Sequence, residues 1–366
     1  MNFNRTTALA AATIACVSLP FVSLADAQVT TRVQATQVAG FGLPPGQTFA
    51  PSTPGGAVVA GSQFWSGDGT EGFLHWLPAD PNNPDPIDTG ILVPDQTVNK
   101  SIGGGTECFI FCHVGQIAYD GNQTAYIAVY DHATGQPFSI RSPGINRITL
   151  DGVNGFATFD GQLVPNAGLA GNLTTAVALG PDGNLYVGFL KNGNIVRIVN
   201  PSIPPGPTQI AQSFGGAPNG RPIRSLAFVG NDLWVASSDG LSVARNAPAC
   251  TGNRGGCGNA VAVADGFPGL DHVGLTTDGI DKLYVSVSGR GVFRRTISTG
   301  VMATVATGGL DPTRTFQTFA FVGGHTNLLM LDRLGNLWIG DDTSDGIFNF
   351  TGRIWRISSG ALSSIP

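Results

Sequence analysis

Five histidines stand in a chain of 366 residues, and three of them open apolar segments of one kind: His113-Val114-Gly115-Gln116, His272-Val273-Gly274-Leu275 and His325-Thr326-Asn327-Leu328. Each lies 12 or 13 residues before an aromatic residue, Tyr126, Tyr284 or Trp338. Such near-equal spacing predicts equivalent places in repeated units. Asp131 and His132, Asp239, and Asp341 and Asp342 follow shortly after the aromatic of their units. Imidazoles and carboxylates that converge on one cleft can bind a divalent metal such as Ca²⁺ or Zn²⁺, or move protons near neutral pH. On this reading His113, His272 and His325 are metal ligands, and His272, Asp131 and Asp341 are the acid–base groups of a metal-assisted hydrolase or lyase acting on a small molecule. The bland alternative is a watery channel lined by polar side chains, with Asn172 and Arg221 or Arg224 in the corresponding places of the units between.

Four cysteines follow the first 27 residues: Cys108, Cys112, Cys250 and Cys257. In an exported protein an even count reads as two disulfides. Cys108–Cys112 and Cys250–Cys257 is the simplest of the three connectivities. Residues four apart in an extended strand are ~13 Å apart, too far for a disulfide, so a paired Cys108 and Cys112 require a turn between them. Cys108, Cys112 and His113 also form a Cys-x-x-x-Cys-His run. That run suits copper, and it is one residue longer than a c-type haem attachment sequence.

These side chains need a scaffold that repeats. Leu185-Tyr186-Val187-Gly188, Leu233-Trp234-Val235-Ala236, Leu283-Tyr284-Val285-Ser286 and Leu337-Trp338-Ile339-Gly340 each follow a turn containing Gly or Asp, and Ala125-Tyr126-Ile127-Ala128 is a fifth copy. The aromatics are spaced by 60, 48, 50 and 54 residues. Periods near 40–50 built of short strands and Gly/Asp turns indicate propeller blades. A sixth copy is expected with Ala57–Gly61 as its second strand and Gly72–Leu77 as its third. The expected fold is therefore all-β, a six-bladed β-propeller of four-stranded antiparallel blades. Thr30–Thr36 is expected to supply the outer strand of the last blade, so that the mature N-terminal strand closes the ring and hides its edges. A Pro/Gly-rich insert, 78–107, links the first two blades.

The segment Gly180-Pro181-Asp182-Gly183-Asn184-Leu185-Tyr186-Val187 resembles the NHL-repeat, streptogramin-lyase and gluconolactonase-like propellers. Leu331–Ile357, with its Gly335-Asn336-Leu337-Trp338 and Gly352-Arg353-Ile354-Trp355 runs, looks most like the lyase repeats. The resemblance implies a ligand site at the top of the ring near its axis. It implies a divalent cation held by a Glu and Asn/Asp set only for the gluconolactonase-like members, whose Asn-Gly pattern is missing before the inner strands here. That gap and the long insert favour a rival function, a non-catalytic propeller docking a protein or a ligand. A third reading is copper handling or electron transfer through Cys108, Cys112 and His113.

The remaining signals bound the setting. Residues 1–27 read as a signal peptide: Arg5, an apolar run from Ala8 to Leu24, then Ala25-Asp26-Ala27 before a cut. The mature domain is residues 28–366, periplasmic or secreted, and expected to be a monomer. Charged residues are only 12% of the chain and the net charge is −5. Without a Lys/Arg cluster, nucleic acid is not an expected partner, and without a basic amphipathic or second apolar stretch, neither is membrane insertion.

Overall fold

The computed structural model describes residues 36–40, 54–68, 72–78, 82, 92–94, 112–131, 144–165, 174–201, 211–250, 259–288, 290–307, 328–344 and 350–366. The expected leader, Cys108, Cys257, His132, Asn172 and His325 lie outside these residues. The strands form six four-stranded antiparallel sheets, the blades of a propeller.

Blade one is Pro54–Ala60, Gln63–Asp68, Gly72–Pro78 and Leu92–Pro94. Blade two is Cys112–Tyr119, Thr124–Asp131, Gly144–Leu150 and Ala157–Pro165. Blade three is Thr174–Leu179, Leu185–Phe189, Asn194–Ile198 and Ala211–Gly216. Blade four is Ile223–Val229, Asp232–Ser237, Gly240–Ala244 and Val261–Val263. Blade five is His272–Thr277, Lys282–Val287, Gly291–Thr296 and Met302–Thr307. Blade six is Leu329–Leu331, Leu337–Ser344 and Phe350–Ile357, with Thr36–Gly40 outermost.

That last strand pairs Thr36 with Arg356 and Gly40 with Arg353. It starts where the expected segment ends, and residues 30–35 lie outside the described ones. Blade one also differs from expectation. Ala57–Ala60 belongs to its first strand, and the second strand is Gln63–Asp68. Trp65 is thus its blade aromatic, 61 residues before Tyr126. An aliphatic run on an inner strand looks the same in sequence as one on a second strand, because both are buried on two faces. Part of the 78–107 insert, Leu92–Pro94, is that blade's fourth strand.

In blades two, three, five and six the hairpin between first and second strands is held by an aspartate. Asp120 Oδ1 accepts from the amides of Asn122, Gln123 and Thr124, and Asp278 Oδ1 from those of Ile280, Asp281 and Lys282. In blades three and six the blade aromatic closes onto the same residue. Tyr186 donates its hydroxyl to Asp182 at 3.0 Å, and the Trp338 indole donates to Asp332 at 2.8 Å. This is why a Gly/Asp turn followed by an aliphatic and an aromatic recurs along the chain. The aliphatics and aromatics then pack between blades. Tyr186, Ile195, Leu226, Leu233 and Val235 fill the seam of blades three and four, and Trp234, Leu241, Leu275, Leu283 and Val285 the seam of four and five. Burying one such side chain is worth about 1.5–3 kcal/mol.

The first strands of successive blades touch one another all the way round the axis. They do not pair as a sheet, so side chains stitch them. Thr175 in blade three donates to the carbonyl of Ile223 in blade four at 2.6 Å. Ser225 in blade four accepts from the Leu275 amide of blade five at 3.0 Å, and Thr276 in blade five accepts from the Leu331 amide of blade six at 3.2 Å. Gln116 reaches from blade two to both blades three and four. Its amide donates to the Leu226 carbonyl at 2.6 Å, and its oxygen accepts from the Leu226 and Val177 amides at 2.8 and 3.2 Å.

Candidate functional site

The inner strands are interrupted at one shared end. Their register with the second strand breaks between Pro54 and Ala57, Val114 and Ile117, Thr174 and Ala176, Ile223 and Ser225, and His272 and Gly274. A bulge re-aims the residue it contains. Gly56, Gln116, Arg224 and Val273 lie within these irregular stretches, and all four line a cavity of about 90 Å³ between the inner strands. Ser225, Thr276, Leu275, Leu329 and Met330 complete most of its wall. The strands come this close because two of them carry glycine at the contact: a Cβ on Gly56 would stand 2.6 Å from the Gly115 carbonyl oxygen, and one on Gly115 2.5 Å from that of Thr175.

Arg224 is the one charged residue among the described lining residues. It is buried, with 8% of its surface exposed. Its Nε and Nη2 donate to the two carboxylate oxygens of Asp271 at 3.1 and 2.9 Å, a bidentate pair bridging blade four and the start of blade five. Asp239 stands nearer the surface, where Arg221 approaches it at 3.5 Å in an exposed ion pair.

His272 is fully buried. Its Nδ1 lies 2.8 Å from the Leu270 carbonyl, which can only accept, so Nδ1 carries the hydrogen. Its Nε2 lies 2.5 Å from Asp265 Oδ2, and Phe267 packs on the ring at 6.4 Å. Burial pushes the Asp265 carboxyl up, but hydrogen bonding and charge from His272, the Phe267 amide and Arg295 outweigh it and hold the group below its ordinary value. His272 therefore stands within the wall, with both ring nitrogens engaged.

The expected equivalence of the histidines does not hold for His113. The second-strand residue three beyond the aromatic is Val287 in blade five and Val129 in blade two. Val287 pairs with His272, whereas Val129 pairs with Val114, and His113 pairs with Tyr130. The 12- and 13-residue spacings differ by one, and one residue along a strand exchanges its faces. Cys112 pairs with Asp131, which brings Cys112, His113 and Asp131 to the same strand end of blade two. Asp341 pairs with Arg353 in blade six, two positions short of the Asp131 place when counted from the aromatic. Among the described residues no three His, Cys, Asp or Glu side chains group closely enough to hold a metal ion.

Sequence reasoning missed Asp265, Asp271 and Gln116. Gln116 had a signal, being a lone amide inside an apolar strand. Asp265 and Asp271 sit in a loop whose course only tertiary structure sets.

No family model matches the chain, and no curated protein matches it. Solved structures resemble it in outline. They include regucalcin, a calcium-binding protein from Agrobacterium tumefaciens, at TM-score 0.49 and 11% identity, covering 88% of this chain and 94% of that one. PQQ-bound aldose sugar dehydrogenase from Streptomyces coelicolor matches at TM-score 0.47 and 15% identity, covering 88% and 97%. Virginiamycin B lyase from Staphylococcus aureus matches at TM-score 0.44 and 13% identity, covering 88% and 98%. Lyase propellers, named above on sequence grounds, thus recur among the structural neighbours. What those proteins bind or catalyse is theirs alone.

Proposed function

We propose that this is an exported, non-catalytic binding propeller, residues 28–366 after cleavage behind Ala27, which takes a small ligand or a protein at the end of the ring where the inner strands begin. The observation that carries this reading is the state of the axial wall. Among the described residues its polar side chains bond across blades, with Arg224 Nη1 left over, and His272, the one acid–base candidate whose side chain is described, is sealed against Asp265. Cys250 is disulfide-bonded, which supports a Cys250–Cys257 bridge and a periplasmic or secreted setting. No helix among the described residues is long and apolar enough to cross a membrane.

A second reading draws on the pairing of Cys112 with Asp131 beside His113. It makes the chain a metal-assisted hydrolase or lyase, with His113 and His325 as ligands and Asp131 and Asp341 as acid–base groups, or a copper-handling protein. Elemental analysis separates the two, on protein purified from its export compartment without a metal-affinity tag. Metal-free, folded protein that retains a partner, and loses it when 78–107 is shortened, is the expected result. About one Ca, Zn, Cu or Fe per chain would overturn the binding reading.

A further inference from the structure

The axial cavity has one polar group that the fold does not use. Gln116, Ser225 and Thr276 are each bonded to a neighbouring blade. Arg224 engages Asp271 through Nε and Nη2, but among the described residues nothing accepts from its Nη1. Arg224 lines the cavity and Nη1 is not among the fully buried unpaired atoms, so water in the cavity reaches it. An acceptor that enters the cavity can take the place of that water on Nη1.

The charge of that acceptor follows from Asp271. The Arg224–Asp271 pair is already neutral and lies within hydrogen-bond distance at two points. A second carboxylate on Nη1 would stand about 6 Å from the first, a repulsion of roughly 2–3 kcal/mol at an effective dielectric constant near 20. It would also have to shed part of its hydration against Leu275, Leu329 and Met330, which line the cavity beside its polar groups. A neutral carbonyl pays neither cost and satisfies the same donor. The volume, about 90 Å³, corresponds to roughly six to nine heavy atoms if each takes about the space of one water centre.

We propose that the axial cavity is a binding site for a small uncharged molecule whose amide or ketone oxygen accepts from Arg224 Nη1 and whose apolar body lies against Leu275, Leu329 and Met330. This deepens the binding reading above by naming the ligand class of the same face. The probes are butanamide and butanoate, equal in heavy-atom number and differing in charge, titrated into the full chain with ligand-observed NMR. Butanamide is expected to bind in the millimolar range, with butanoate at least tenfold weaker. The control is the double variant Arg224→Met/Asp271→Leu, which replaces the buried pair by apolar residues of similar size, an exchange that is often neutral or stabilising. It is expected to keep its melting temperature within a few degrees and to lose butanamide binding. Binding of butanoate in preference would overturn the neutral-acceptor assignment. Equal butanamide binding by wild type and double variant would remove Arg224 from the site. A wild type that binds neither probe would mean a cavity that holds only water. Stoichiometric metal in the same sample would sink the binding reading without deciding the titration, so the two failures are distinguishable.

Discussion

The two ends of the propeller are built differently. At the end carrying the first-to-second-strand hairpins, the turns of blades two, three, five and six each close on their own aspartate, within six residues of chain. At the end where the inner strands begin, bulges break the register and polar groups pair across blades: Arg224 with Asp271, His272 with Asp265, Gln116 with Leu226. Local, repeated bonds specify a blade. Long-range, unrepeated bonds specify how one blade differs from the next, and a ligand can be told from another only by such differences.

The largest expected effect breaks the unrepeated end. Asp265→Ala leaves His272 Nε2 and the Phe267 amide facing an apolar gap. Leaving a buried donor without its partner costs about 1–3 kcal/mol, and with two donors orphaned urea unfolding should show a loss of several kcal/mol. Acid should act through the same group. The folded state holds the Asp265 carboxyl below its ordinary value. Its stabilisation is thus complete above the unfolded value of about 3.9 and is lost as the pH falls through the lower folded one. The wild type should therefore lose more stability than Asp265→Ala between pH 4 and the acid limit of folding. A variant with the same acid slope as the wild type would show that the pair is not coupled to folding.

What sequence could show follows the same division. The hairpins were legible because one motif serves many blades and is complete within a few residues, so Asp182 and Tyr186, or Asp332 and Trp338, can be read as a unit. The axial end was legible only in part. Three histidines with similar spacing suggested one ring of ligands, yet both inner strands carry the same one-residue bulge, so the one-residue difference between the 13- and 12-residue spacings is not absorbed and leaves His113 out of step with His272. Asp265 lies seven residues before His272 with Phe267 and Pro268 between them, and no periodicity predicts that the loop folds back. Arg221 or Arg224 was expected to line the channel; Arg224 lines the cavity, but its tie to Asp271 joins segments 47 residues apart.

A smaller effect is expected at the repeated end. Trp338→Phe keeps most of the buried ring but removes the indole donor to Asp332 Oδ2. A hydrogen bond to a charged group contributes about 1.5–3 kcal/mol, and the Asn336 amide that still donates to the same oxygen at 2.9 Å should keep the loss near the lower figure. Butanamide affinity should not change. If it did, the two ends would be coupled through blade six, and the contrast between local and long-range bonding would fail there.

The smallest effects compare two glycines kept for different reasons. Gly183 has φ +72°, and a Cβ there would meet nothing within 4 Å. Gly183→Ala thus carries only the left-handed backbone penalty, about 1 kcal/mol, with the axial cavity untouched. Gly115 lies in the regular region of backbone, but its Cβ would press on the Thr175 carbonyl. Gly115→Ala must push two inner strands apart, at a cost of about 1–3 kcal/mol. That shift should also alter butanamide binding, because Gln116, the next residue, lines the cavity. Stability and binding measured on both variants therefore test the division directly: loss of stability alone at Gly183, loss of stability with altered binding at Gly115. Equal binding in the two would mean that the inner strands yield without moving the cavity wall, and that close approach around the axis serves packing alone.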